Sequence, residues 1–325
     1  MGLLGFLLIS AAVLGLAVLL TSFICFRMGF YSPPRVPRED GQIDLPEGEI
    51  YEPYWDSMRR WAEEAEAMHP ETFSVTSFDG LKLYGKFYEY APGAPIELMF
   101  HGYRGSAERD LSGGVQRCFK LGRSALIVDQ RGGGRSEGSV ITFGINERRD
   151  CLTWLEMMGK HFGPEQKIIL TGISMGAATV LMAAGEVLPP NVIGVLADCS
   201  FHSPKAIILK VVRQMGLLAK LAYPFVKLGA RMFGHFDLEE TSPEEAVKKC
   251  RVPVIFFHGE ADDYVPCDMS RICYEACASR KQLVTVPGAG HGLSYPVDME
   301  GYISALREFF GPEASWKGEG IYGNH

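Results

Sequence analysis

Several function classes leave no mark on this sequence. Its eight cysteines form no CxxC pair and no set with histidine at zinc spacing, and they lie in segments that otherwise read as core or helix. They read as reduced thiols, which favours a cytosolic setting over an oxidising one. The net charge is −7, and no Lys/Arg-dense stripe interleaved with aromatics is present, so the chain offers no nucleic-acid groove. Gly132-Gly133-Gly134 follows an apolar run, but no GxGxxG opens a helix there and no Walker lysine follows, which excludes a phosphate cradle. No metal or organic cofactor is called for, and no internal repeat is visible.

Charge is also absent from residues 2–26. At about 1.5 Å per residue this run exceeds the ~30 Å hydrocarbon core of a bilayer. The competing reading is a cleaved signal peptide, but the run is longer than a typical h-region, no Lys or Arg precedes it and no Ala-x-Ala site closes it. Residues 1–27 therefore read as a single-pass membrane anchor. Arg27, Arg35 and Arg38 follow it, which points to a cytoplasmic carboxyl-terminal domain.

Residues 28–50 hold Pro33, Pro34, Pro37 and Pro46 and read as a spacer that couples anchor and domain weakly. On that reading, removal of residues 1–30 leaves a soluble protein with unchanged kinetics. The folded domain is expected to occupy residues 51–325, a length and a 47% hydrophobic content ample for one large core. Apolar residues from Tyr54 to Met68 recur at three- and four-residue steps, an amphipathic helix stopped by Pro70. From Thr72 the period becomes two, around the hairpin signal Asp79-Gly80. Short apolar runs then follow at 96–100, 125–129, 167–172, 192–198, 252–259 and 282–288, with room for helices between them. That alternation indicates a parallel sheet buried on both faces.

The sharpest local signal is Gly172-Ile173-Ser174-Met175-Gly176, between a strand and a helix. A serine hydroxyl is a weak nucleophile unless it is exposed, given a base and placed beside oxyanion donors, and a tight strand-to-helix turn provides the exposure. His291, in PGAGHG past the last strand, is the candidate base. The acid belongs at the end of a strand between the two, where HGEADDYVP supplies Asp262, with Asp263 and Glu260 as rivals. The N–H of Met175 and that of Tyr103, in HGYRGS after the 96–100 strand, are the candidate oxyanion hole. His101 reads as structural. Arg104 is open to either substrate contact or a salt bridge.

HGYRGS, DQRGGGRSEG, GISMGA, HGEADDYVP and PGAGHG, in that order, resemble the α/β-hydrolase superfamily, and more narrowly its bacterial membrane-anchored serine hydrolases related to the Bem46 group. The resemblance covers roughly residues 70–312. It implies an α/β-hydrolase fold: a mostly parallel eight-stranded sheet with helices on both faces, a small helical lid, and one transmembrane helix before it. It also implies esterase-type chemistry with Ser174, Asp262 and His291 at the triad positions. Gly133 departs from the pattern, since many relatives carry histidine or another larger residue there.

The expected function is hydrolysis of carboxylic ester or thioester bonds through an acyl-enzyme, with a small-molecule acyl ester as substrate. The rivals are a peptidase of the prolyl-oligopeptidase type, which has no propeller domain here, and a non-catalytic membrane-associated scaffold. Residues 201–250 stand where this fold carries its lid. From Phe201 to Phe236 the segment is apolar, with six basic residues and no acid. It reads as two short helices broken near Pro224, which either simply cover the sheet edge and show their lysines to water, or line an acyl pocket with their apolar face and rest their cationic face on anionic headgroups.

Overall fold

The Asp79-Gly80 turn, with Gly80 at φ +90°, joins strand β1 (Glu71–Thr76) to β2 (Lys82–Tyr88) in an antiparallel hairpin. This geometry comes from a computed structural model, which describes residues 2–33, 43–318 and 321. The remaining strands are β3 (Ile96–Phe100), β4 (Ser124–Val128), β5 (Ile168–Ile173), β6 (Val192–Asp198), β7 (Val254–Gly259) and β8 (Lys281–Val286). They form one eight-stranded sheet in the order β1-β2-β4-β3-β5-β6-β7-β8. β2 runs antiparallel to β1 and β4, and every other pairing is parallel.

The helices are α1 (Leu3–Gly29), α2 (Trp55–Ala67), α3 (Ala107–Lys120), α4 (Glu147–Phe162), α5 (Met175–Ala183), α6 (Pro204–Gln214), α7 (Ala219–Phe233), α8 (Pro243–Val247), α9 (Asp268–Ala276), α10 (Ser294–Val297) and α11 (Met299–Phe310). Because successive strand side chains point to opposite faces, β3 sends Leu98 and Phe100 one way and Met99 the other. Leu98 and Phe100 join Trp154 of α4, Val180 of α5 and Cys273 of α9. Met99 joins Leu111 and Val115 of α3, while Leu196 and Phe257 on the same face meet Tyr302 and Leu306 of α11. Both faces are thus covered by helices, as the continuous apolar strands require.

α1 is long and apolar enough to cross a membrane, and no residue of its amino-terminal two thirds is buried. Its end behaves differently from the expectation of a weakly coupled anchor. The helix continues to Gly29, and Ser22, Phe26 and Phe30 are buried. Gly229 of α7 approaches so closely that a Cβ there would stand 2.3 Å from the Ser22 carbonyl oxygen. Phe30 packs edge-on against Phe143 and Phe236, with centroids 5.7 and 5.2 Å away. Ile141 then donates to the Phe30 carbonyl and Ser32 to that of Ser139, so residues 30–32 bind along the 139–141 loop. The boundary at residue 27/28 is therefore corrected: the end of α1 is part of the domain's second hydrophobic cluster. A proline count could not show this, because the coupling lies in the aromatic residues ahead of the prolines. Pro34 and Pro37 of the spacer lie outside the described residues.

The lid also differs in detail. Its break falls at Gly216, at φ +75°, where the Gly216 and Leu217 amides close α6 on the carbonyls of Arg213 and Val212. Pro224 sits inside α7 instead.

Removing residues 1–17 should leave thermal stability unchanged, because no described residue among them is buried. Phe30→Ala should cost about 3 kcal/mol or more, the usual loss for a fully buried Phe, and removal of residues 1–30 should cost still more. Thermal unfolding in detergent checks all three; equal stability of the two truncations would contradict the docked helix.

Candidate active site

Every candidate residue sits at the carboxyl edge of the sheet, the end at which open α/β sheets bind ligands. Ser174 links β5 to α5 at φ 56° and ψ −117°, a conformation that L-residues rarely hold. The flanking glycines make the turn sterically feasible. A Cβ on Gly172 would stand 2.2 Å from the Gly176 backbone, and one on Gly176 would stand 2.0 Å from the Phe100 carbonyl oxygen. The Ser174 amide donates to the Asp198 carbonyl at 2.8 Å, which ties the turn to β6.

His291 follows β8 and Asp262 follows β7, so neighbouring parallel strands deliver both side chains to Ser174. His291 Nε2 lies 2.9 Å from Ser174 Oγ, and its Nδ1 lies 2.7 Å from Asp262 Oδ2. The other oxygen of Asp262 accepts the amides of Tyr264 at 2.9 Å and Val265 at 2.7 Å. Burial alone would raise the Asp262 carboxyl, but hydrogen bonds from His258 and His291, the nearby imidazole charge and the Val265 amide hold it well below the usual carboxylate range. The rivals fall outside this arrangement. Asp263 is exposed and offers only its carbonyl to Lys210, and Glu260 accepts from Thr285 on the surface.

Of the two candidate oxyanion donors, Met175 is the first residue of α5, so its N–H has no carbonyl one turn earlier to bond. Tyr103 borders the cavity beside Ser174. Its loop is pinned by Asp110, which accepts the Gly102 amide at 3.0 Å and pairs with Arg109 at 2.6 Å. From the other side, Tyr103 Oη donates to the Gly29 carbonyl, and Arg104 Nη2 donates to those of Met28 and Tyr31, each at 2.9 Å. The Arg104 guanidinium therefore caps the end of α1. His101 is buried with both ring nitrogens spent: Nε2 accepts the Gln130 amide at 2.9 Å and Nδ1 donates to the Gly102 carbonyl at 2.8 Å. A Cβ on Gly133 would stand 2.9 Å from that ring, so in this chain the small residue and the histidine are one packing solution.

Residues that sequence reasoning missed surround this group. His258, fully buried, places Nε2 3.3 Å from Asp262 and is itself held by Ser270 and the Val265 carbonyl. The Tyr264 ring meets the His291 ring edge-on at 5.0 Å. Cys199 lies behind them: its thiol, an Asp262 oxygen and a His291 nitrogen are within 4.8 Å of one another. Burial raises that thiol far above its ordinary value, which keeps it protonated and a poor metal ligand.

A cavity of about 480 Å³ descends from Ser174 between the sheet and α2, α3 and α10. Met58, Trp61, Met99, Leu196 and Tyr295 give it apolar walls. Gly113 and Gly114 of α3 open it: a Cβ there would stand 2.7 Å from the Trp61 ring or 3.0 Å from Met99. Two adjacent glycines inside a helix were a sequence signal for such a space. At its far end Arg117 pairs with Glu97, which also binds Arg123 and accepts from Thr171. Burial works to raise the Glu97 carboxyl, yet the two guanidinium groups hold it low. No residue bordering the cavity comes from the 201–250 insertion, which corrects the expectation that the lid lines it. The lid's apolar side is spent on α1 and on Ile145, Met175 and Met182 instead.

Comparison with known proteins agrees with this architecture. The chain is 27% identical over 190 residues to the uncharacterized protein YqkD of Bacillus subtilis, covering 58% of this chain and 62%, less than two thirds, of that protein. It is 26% identical over 220 residues to protein bem46 of Schizosaccharomyces pombe, covering 66% of this chain and 67% of that one. Among solved structures, the Pyrococcus furiosus esterase Pf2001 matches with a TM-score of 0.63 at 21% identity, over 86% of this chain and 97% of that one. Est1E of Butyrivibrio proteoclasticus, solved with ferulic acid, matches with 0.55 at 20% identity, over 73% and 97%. The model of the alpha/beta hydrolase family matches residues 98–305, most of the sheet with both loops that flank Ser174, and the chain belongs to that family.

Proposed function

We propose that this hydrolase is a serine esterase that cleaves carboxylic ester or thioester bonds through an acyl-enzyme. The observation that carries the reading is the unbroken line Ser174 Oγ, His291 Nε2, His291 Nδ1 and Asp262 Oδ2, at 2.9 and 2.7 Å, on a strained turn open to a cavity. Ser174 attacks the acyl carbonyl while His291 takes its proton, and Asp262 holds the imidazole with Nδ1 protonated. The amides of Met175 and Tyr103 stabilise the oxyanion, helped by the positive end of α5. The His291 proton then passes to the leaving alcohol or thiol. Water repeats the attack on the acyl-enzyme with His291 again as base. Solved structures that share this fold include an esterase, Pf2001 of Pyrococcus furiosus, in keeping with this reading.

The cavity's apolar walls and its volume of about 480 Å³ suit an acyl chain, so medium-chain esters are the proposed substrate class. α1 is the proposed membrane anchor, with the domain on the cytoplasmic side that Arg27 indicates.

Ser174→Ala should abolish labelling by a fluorophosphonate probe and lower turnover of an activated ester by about a thousandfold or more, with the melting curve unchanged. Residual activity above a tenth of wild type would overturn the assignment. Asp262→Asn should lower kcat by orders of magnitude, roughly a hundredfold or more, through loss of the productive tautomer, and Asp263→Asn should leave it nearly unchanged. A reversed outcome would make Asp263 the acid.

The cavity is tested by Gly114→Leu, which fills space and gains about 1 kcal/mol of helix propensity. The ratio of kcat/KM for octanoyl over acetyl ester should fall by about tenfold. An unchanged ratio would remove this cavity as the acyl site.

A further inference from the structure

We propose that the turn between α6 and α7, with the first turn of α7, is a second membrane contact that enters the bilayer beside α1. Outside α1, large exposed apolar side chains among the described residues are scattered singly over the domain, with one exception. Met215, Leu217, Leu218 and Leu221 are 50%, 53%, 74% and 67% exposed within seven residues of one another. A soluble surface rarely carries such a cluster without a partner.

The partner is identified by what lies next to the cluster. Phe236 meets Phe30, Phe233 meets Phe26 and Phe23, and Gly229 meets Ser22, so α7 runs parallel to α1. Going back along α7 from Gly229 leads away from Arg27 and along the uncharged stretch of α1. Leu218 lies eleven residues before Gly229, about 16 Å of helix rise. The cluster is thus carried toward the depth at which α1 itself is surrounded by acyl chains. Arg213 and Lys220 flank it, both exposed, and no acidic residue occurs anywhere in 201–236. Long basic side chains at that position reach back to anionic headgroups while their stems stay in the apolar layer. Three other lid cations have partners within the domain: Lys205 and Lys227 pair with Glu239, and Lys210 donates to the carbonyls of Asp263 and Tyr264.

The contact fixes where the cavity opens. Its rim includes Tyr103, bonded to the last turn of α1, and Tyr264, whose carbonyl accepts from α6. Both membrane-bound elements therefore hold the rim, and the opening stands at the bilayer surface.

The inference rests on α1 lying in a bilayer, not on the hydrolytic reading, and one experiment separates the two membrane claims. The full chain is reconstituted in phosphatidylcholine/phosphatidylglycerol vesicles with and without bromine on the acyl chains, as wild type and as Leu14→Trp, Leu218→Trp and Val187→Trp. Each replaced side chain is exposed, and Val187, 96% exposed past α5, stands at the opposite end of the sheet. The added tryptophan emission at 14 and 218 should be quenched by the brominated chains, and that at 187 should not. Quenching at 14 with none at 218 overturns the second contact and leaves the anchor standing. No quenching at either position overturns both.

Discussion

The backbone at Ser174 is held in a conformation that costs of order 1–3 kcal/mol, and the organisation of the site depends on how that conformation is maintained. Gly176 lies against the end of β3, Gly172 lies against Gly176, and the Ser174 amide is spent on β6. Three adjacent strands therefore over-determine one turn. Its consequence is chemical: the hydroxyl projects from the sheet edge toward His291, beside the amino-terminal end of α5. The same packing leaves no room for adjustment, since a single methyl at either glycine would collide with backbone rather than with a movable side chain.

The acid and base are placed by the parallel order of β5, β6, β7 and β8, whose ends lie side by side. Asp262 is held from four directions, by two backbone amides and by two histidines. An ionised carboxylate in a buried place is tolerable only with such partners. His258 belongs to this support. It reaches substrate through nothing but Asp262 and is a positioning residue for the proposed acid.

Membrane attachment and the site are not separate modules. The last turn of α1 is bound by Tyr103 and Arg104, the two residues that follow Gly102 in the loop of the proposed second oxyanion donor. Phe26 and Phe30 complete a hydrophobic cluster that also contains Met175. Any tilt of α1 is therefore resisted by the same packing that holds the proposed oxyanion site. The cavity proposed for the acyl group lies on the other face of the sheet, under α2 and α3, where Gly113 and Gly114 leave a gap and Arg117, the partner of Glu97, borders it.

The sequence by itself determined the strands, the hairpin, the order of elements and the three residues that meet at the sheet edge. These are local facts: period, turn chemistry, and a GxSxG between a strand and a helix. It also put Asp262 ahead of Asp263 and Glu260 in one loop; the structure adds that Asp262 alone of the three is buried against His291. Only the tertiary structure decided what depends on distant pairing. Phe26 and Phe30 look like the tail of a lipid-facing run until Gly229, two hundred residues later, lets α7 approach them. Arg104 reads equally as a substrate contact or a surface ion pair until the end of α1 arrives beside it. The lid's apolar residues suggest a pocket wall, yet those that are buried pack with α1 and α5, while the actual cavity is opened by two glycines whose effect exists only where Trp61 and Met99 converge. Periodicity reports which face of an element is apolar, and chain folding alone chooses what that face meets.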